Sequence, residues 1–536
     1  MLEMPLNNDI DSVRSQYPNE KILRQLGNAE LVYDYEIKSN GCVLPFSVLV
    51  ETSYNLFANL DLIDNAIEHL KAIHPLLGAK IFVPDNDVNS EGSAYFSHER
   101  YFALCDEETV RRRENIDYMR VVTDEKNADV IRNYWKLLHQ YEFNIRPVNC
   151  RTGPLWRLKI VEMLRDERTN LFTYCIVLTA HHAITDGRNM YHLLLQLTDI
   201  IEKLANGTFD EAKELIKFEV SPSIEEKLYN NDPVALSTFN LNSDFDVPGN
   251  NKIPSSFASY GHEKRLVDLT NTKFVYVNKN RPALTLQCLY DTQGFECVTK
   301  FQSFVLNEEL FVKLLRRCKE VGAKLTGCLN LICALATQKT YCVYETDENN
   351  NALRQLSQKL YYHILGNLRQ FLGLGNLNMG YWSIVLNGVV DVDKLGVERD
   401  EASFYGKRFW AQAKKESDEL HKRIDDNELY ENAKLDQLLL NDIDQDVKYE
   451  HGAVHFAISN LGNMQPSSPT ALIKFKEAYF DTACVPNRWS AIVFHGLTTL
   501  ETRLCWGIAY NCNLVRDEIV AHLIQSINET IASVVS

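Results

Sequence analysis

One stretch, LFTYCIVLTAHHAITDGRNMYHLLLQLTDIIEKL from Leu171 to Leu204, constrains the fold more than any other. Phe172 to Leu178 is an apolar, β-favouring run, which predicts a strand buried on both faces. His181 and His182 follow, and a short turn leads to Asp186 and Gly187. The period then changes. Met190, Leu193, Leu194, Leu197, Ile201 and Leu204 recur at helical spacing, which predicts a helix burying one stripe. A strand end thus delivers two imidazoles and a carboxylate into a turn. Adjacent histidines on a strand point to opposite faces, so one of them is expected to be structural. A dyad or metal site made from both is disfavoured on the same ground.

The rest of the chain must be large enough to house such a turn. At 536 residues it exceeds one ordinary core and predicts two large domains or a fused pair. Hydrophobic residues are 45% and charged residues 24% of the chain, a globular rather than disordered balance. The net charge of −16 offers no basic excess to displace phosphate counterions, so no nucleic-acid partner is expected. The N-terminal segment is polar and acidic, without a secretory pattern. Apolar runs such as that from Leu329 fall short of the roughly 20 residues a transmembrane helix needs. Thirteen cysteines, an odd number without metal-ligand spacing, suit reduced thiols in a cytoplasmic protein.

Upstream, LPFSVLVET reads as a strand, and Leu62, Ile63, Ala66, Ile67, Leu70 and Ile73 share one helical face. Pro75 ends that helix, and AKIF starts another strand. Residues 90–150 are polar and weakly periodic, with one helix expected over KNADVIRNYWKLLHQYEF. The strand in GPLWRLKIVEM should pair with the histidine strand across the turn RDERTN. Residues from about 218 to 262 are rich in Asn, Asp, Ser and Pro, and predict a crossover between two halves. In the second half Phe301–Val305 reads as a strand, and Asn307 and Gly322 bracket a helix. A buried helix follows from Thr326, and a strand and a terminal helix close the chain.

Two other patterns resist a cofactor or metal reading. Gly373 and Gly375 lack the third glycine of a dinucleotide fingerprint. His451 and His455 have zinc-like spacing, but Val454, Phe456 and Ile458 alternate as a strand. On a strand, residues four apart are separated by about 13 Å.

HHAITDG has the form HHxxxDG and resembles the signature of the CoA-dependent acyltransferase superfamily, which shares the chloramphenicol acetyltransferase fold. Supporting segments resemble it in order: Arg24-x-Leu26-Gly27-x-x-Glu30, His74-Pro75-x-Leu77, the Pro-Leu-Trp-Arg strand, Asn367-Leu-Arg369, and Ser459-Asn460-Leu461-Gly462. No Asp-Phe-Gly-Trp-Gly run of the plant-type branch occurs, so the likeness is to the alcohol acetyltransferase and condensation-domain branches.

The resemblance implies an α/β (α+β) fold of two acetyltransferase-like lobes with mixed sheets flanked by helices and a tunnel between them. The lobes would span 1–215 and 296–536, with 216–295 as the crossover. It implies His182 as the general base, with His181, Asp186 and Gly187 supporting the turn. Arg369 is the expected ion-pair partner of Asp186, and Ser459 or Asn460 the candidate oxyanion or tunnel residue. His74 is expected to cap or pack. No metal and no permanent cofactor is expected; acyl-CoA, with acetyl-CoA favoured, would be a co-substrate, with unassigned binding residues.

The implied reaction moves an acyl group to the hydroxyl or amine of a small-molecule acceptor, by direct attack on the thioester. The lack of a G-x-S-x-G elbow agrees with direct transfer. Lys407, Arg408, Lys414 and Lys415 are a candidate phosphate-binding cluster or simply a solvated helix face. Two readings stay open beside this one. A condensation-like enzyme would take a carrier-bound thioester, and since no adenylation or carrier region is evident, it would need a partner. A non-catalytic adaptor would keep the fold alone. A monomer is expected.

Overall fold

A computed structural model describes residues 10–35, 43–84, 99–106, 108–109, 113–144, 148–231, 273–279, 281–285, 299–344, 359–392, 404–425, 454–464, 471–484, 491–512 and 514–536. Among the described residues sixteen strands run, in chain order, β1 Ile22–Gln25, β2 Val43–Thr52, β3 Ala79–Phe82, β4 Tyr101–Leu104, β5 Ile116–Val122, β6 Trp156–Asp166, β7 Leu171–His181 and β8 Lys273–Tyr276. They continue with β9 Leu284–Thr285, β10 Thr299–Val305, β11 Lys359–Asn367, β12 Ser383–Asp391, β13 Val454–Asn463, β14 Lys474–Phe480, β15 Ala491–Leu500 and β16 Arg503–Asn511.

These form a seven-stranded sheet in the order β14-β2-β7-β6-β5-β8-β9, a six-stranded sheet in the order β10-β16-β15-β13-β11-β12, and a small sheet β1-β4-β3. Both large sheets are mixed: β5–β6 run parallel in the first, and β11–β13 and β13–β15 in the second. Helices cover them, and each sheet has its own apolar core. The first core gathers residues such as Phe46, Ile63, Trp156, Ile176 and Met190; the second gathers Phe311, Ile332, Trp382, Trp506 and Ile527.

The expected local elements follow from their patterns. β7 is central in its sheet, between β2 and β6, which is why Phe172 to Leu178 carries no polar alternation on either face. The helix Leu60–Ile73 turns Ile63, Ala66, Ile67, Leu70 and Ile73 inward, beside the helix Gly187–Ala205. Asn307 caps Glu308–Val321 by accepting from the Leu310 amide. The helix Leu325–Tyr344 is buried along most of its length.

Other expectations are corrected. The single helix over 126–143 is two, Ala128–Asn133 and Trp135–Asn144. Bonds from the Tyr134 amide to the Ile131 carbonyl and from Leu137 to Tyr134 tighten the junction into a 3₁₀ step, while Trp135 stacks on Tyr479 at 4.7 Å. Polar 90–150 also holds β4 and β5, and β5 is a full member of the large sheet. Within 216–295, β8 and β9 extend that same sheet, and the remainder of the crossover lies mostly outside the described residues. The second half of the chain lends β14 to the first sheet, where it pairs with β2.

Just beyond β14, Asp481 is fully buried against the paired glycines Gly496 and Gly507. A Cβ on Gly507 would come within 2.3 Å of its carboxyl oxygen, so the close approach requires glycine.

Candidate active site

The histidine turn begins where β7 ends. His181 is the last strand residue, and His182 opens a 3₁₀ turn, His182–Ile184. The two rings diverge because the strand stops between them, not because of strand alternation. The Ala183 amide donates to His181 Nδ1 at 3.2 Å. A neutral His181 therefore carries its proton on Nε2, and burial pushes its pKa down to about 3, with His182 and Arg151 adding to the shift.

His182 is the opposite tautomer. Its Nδ1 faces the Thr185 carbonyl at 2.8 Å and must donate, which leaves the Nε2 lone pair free of any hydrogen-bond partner among the described residues. Burial lowers the His182 pKa, against the opposing pull of the Thr185 carbonyl and the Asp186 charge. A neutral imidazole with a free Nε2 is what a general base requires.

Asp186 is the hinge between the lobes. Its Oδ1 accepts from the Asn189 amide at 3.0 Å and so caps the helix Gly187–Ala205. Its Oδ2 accepts from Arg369 Nη1 at 2.6 Å and from the Trp382 amide at 3.2 Å. Both partners of the ion pair are buried. Arg369 also donates to the Asn378 carbonyl and to Asn367 Oδ1. The loop from Leu368 to Trp382, in the second lobe, thus clasps the turn of the first. Further bonds join them: Gly380 N to the Ile184 carbonyl, Arg188 to Asn376, and Asn189 to the Asn376 carbonyl. Gly187 leaves space at this seam, where a Cβ would lie 2.9 Å from Phe480.

Ser459 and Asn460 lie on β13, beside β11 and β15. Asn460 donates to the Thr326 hydroxyl and accepts from the Gly462 amide, so its amide group is occupied by local structure. The Ser459 side chain has no hydrogen-bond partner among the described residues. The neighbouring Leu461 carbonyl accepts from Arg188 at 2.7 Å, which ties this strand to the histidine turn. His74 packs: it is bonded to Gln196 at 2.7 Å and stacked on Phe218. Among the basic candidates, Lys414 and Lys415 pair with Asp418 and Glu419 one turn on along their own helix. Lys407 and Arg408 lie in a separate turn before it, which is broken at Gly406.

Residues missed from the sequence are as informative. Tyr33 stacks on the His182 ring at 4.4 Å, and Tyr381 meets it edge-on at 5.1 Å. Neither had a spacing signal, because each reaches the histidine from a distant part of the chain. Asp34, Cys150 and His181 also converge, with donor atoms within 4.8 Å of one another. Arg100 and Arg151 already occupy the Asp34 carboxylate, and His181 presents N–H rather than a lone pair there. The trio is better suited to balancing charge than to ligating a metal. His455 sits in β13 as expected, and its zinc-spaced neighbour His451 lies outside the described residues.

Fold and site together define a two-lobed α/β protein whose lobes meet around a buried histidine turn. No family model and no curated protein matches the sequence. Solved structures do match. The TRI3 trichothecene 15-O-acetyltransferase from Fusarium sporotrichioides aligns with a TM-score of 0.59 at 10% identity, over 95% of this chain and 94% of that one. The epimerization domain from the third module of tyrocidine synthetase B aligns at 0.55 and 12% identity, over 96% and 97%. The first condensation domain of the CDA synthetase aligns at 0.53 and 12%, over 96% of each chain. The chain has the fold these proteins share, that of the condensation domains and acyltransferases.

Proposed function

We propose that this protein is an acyltransferase that moves an acyl group from acyl-CoA to a hydroxyl, or an amine, of a small-molecule acceptor. The observation that carries the proposal is the setting of His182: buried at the lobe junction, where burial favours the neutral ring, with Nδ1 committed to the Thr185 carbonyl and Nε2 without a hydrogen-bond partner among the described residues. In this reading Nε2 takes the acceptor proton as the acceptor oxygen attacks the thioester carbonyl. The tetrahedral intermediate then collapses, the C–S bond breaks, and the CoA thiolate leaves with the proton held by His182. No acyl-enzyme forms.

Asp186 does not accept that proton; it holds the turn against Arg369. Ser459, whose hydroxyl is uncommitted, is the candidate donor to the negative oxygen, a contribution of about 3–4 kcal/mol where such donors have been removed. Asn460 is the weaker candidate because its amide is engaged. The reading also takes the protein to be a cytoplasmic monomer without a resident cofactor. Among the described residues no helix is long and apolar enough to cross a membrane.

The likeness to condensation domains keeps a second reading, in which the donor is a carrier-bound thioester. Incubation of the pure protein with panels of acyl-CoAs, alcohols and amines, followed by mass spectrometry, separates the readings. Stoichiometric free CoA and acylated acceptor support the proposal. Reaction of a carrier-bound thioester alone supports the second reading. No turnover of either, with folded protein, supports an adaptor that retains only the fold.

A further inference from the structure

We propose that Tyr33 is a positioning residue for His182, holding the plane of the imidazole so that Nε2 faces the acceptor; this rests on the acyltransferase reading. The hydrogen bond from Nδ1 to the Thr185 carbonyl sets the ring's rotation about Cβ–Cγ, but one bond at 2.8 Å still tolerates tilt of the ring plane around that angle. Tyr33 supplies a second restraint, against that tilt. Its ring lies over the imidazole at 4.4 Å with only 29° between the planes, and Tyr381 meets the imidazole at 5.1 Å and 78°. The two tyrosines also meet each other at 5.2 Å. The imidazole is therefore packed, on adjoining sides, against one aromatic side chain from each half of the chain.

The placement of Tyr33 gives a purpose to the Arg24-x-Leu26-Gly27-x-x-Glu30 segment. Tyr33 sits on the helix Asn28–Tyr35, whose eight residues would be marginal alone. Its start is anchored from three sides. Glu30 accepts from the Gly27 amide at 2.8 Å and holds Arg24 through both oxygens. Arg24 in turn donates to the Ser221 carbonyl at 2.7 Å. Glu225, from the helix Ile224–Asn231, accepts from the Ala29 amide at 2.8 Å. Carboxylates at the first turn also suit the helix dipole. Glu30 and Tyr33 are three apart and share a helix face, so the anchor that holds Glu30 sets the height and angle of the Tyr33 ring.

A ring that only fills space would be replaceable by any apolar side chain; one that orients the base would not. Hydrogen–deuterium exchange at the imidazole C2 position, read by mass spectrometry, reports the exposure and titration of His182 without need of a substrate. Asp186 is the charged group acting on this ring, and it is retained in every variant. Tyr33→Ala and Tyr33→Leu are expected to speed C2 exchange at His182, and to move its midpoint up toward the ordinary imidazole value as water reaches the ring. Tyr33→Phe should restore the wild-type exchange.

In the transfer assay, the Ala and Leu variants should lose kcat on the order of 10-fold to 10²-fold with KM nearly unchanged, and Phe should recover it. Wild-type exchange at His182 in either the Ala or the Leu variant, whichever folds, overturns the proposal. So does a Phe variant as impaired as Leu. If the wild type transfers no acyl group, the functional reading fails, while the exchange measurement still decides the role of Tyr33.

Discussion

Replacing Arg369 by Met tests how the two lobes share one site. The substitution removes the 2.6 Å contact to Asp186 Oδ2 and leaves a buried carboxylate facing an apolar chain. Stripping one partner from a buried ion pair costs about 3–5 kcal/mol. Asp186 keeps the Trp382 and Asn189 amides and sits at the N-terminus of a 19-residue helix. A helix terminus favours an anion by roughly 0.3–1 kcal/mol. The loss should therefore fall near the lower end, about 3 kcal/mol.

Asp186→Asn preserves the cap but leaves the Arg369 charge, among the described residues, with the neutral acceptors of Asn378 and Asn367. It should cost a similar amount. The double variant should cost far less than the sum, with a coupling of about 2–3 kcal/mol. Urea unfolding gives the global values. Native-state exchange at the Trp382 and Gly380 amides reads the seam directly, since these donate to Asp186 and to the Ile184 carbonyl. A coupling within about 0.5 kcal/mol of zero, with unchanged exchange at both amides, would refute the argument.

Two buried acids should give pH-dependent stability of opposite sign. Burial alone would raise the Glu142 pKa, but Arg157 and Lys159 hold it down at about 2. Its contribution is present above the unfolded value of about 4.3 and is lost as pH falls through the folded one. The stability gap between wild type and Glu142→Gln, about 3–5 kcal/mol at neutral pH, should close during acid titration. Asp481 is the reverse case, its pKa raised well above normal by burial. The protonated form is the stable one, so stability falls as pH rises from about 3.9, by about 1.4 kcal/mol per unit until the folded carboxyl ionises. Asp481→Asn should raise the unfolding midpoint at pH 7, with the gain gone below about pH 4.

Much of this site could be read from local pattern. The β7 run, the helical stripe from Met190 and the Asp186 cap are encoded within a few residues of one another, where period and capping chemistry decide the outcome. The meeting of Arg369 with Asp186 was anticipated by resemblance, since 183 residues of chain separate them. Tyr33, Tyr381 and the Thr185 carbonyl carried no signal, because their roles depend on how two lobes and a turn pack. β14 was hidden for a related reason. KFKEAYF alternates as any strand does, and nothing in it says which sheet it joins. The division of labour between His181 and His182 rests on hydrogen bonds to one amide and one carbonyl, a level of detail that residue spacing does not encode.

The central claim is that His182 Nε2 is the base for acyl transfer, and single-turnover kinetics with saturating acyl-CoA and acceptor test it most directly. Wild-type rate should rise with pH through one titration centred below the ordinary imidazole value, as burial of the ring directs. His182→Ala should bind CoA and fold normally, yet lose about 10²–10⁴ in rate together with that titration. A folded His182→Ala protein that turns over at the wild-type rate with the same pH profile would contradict the account.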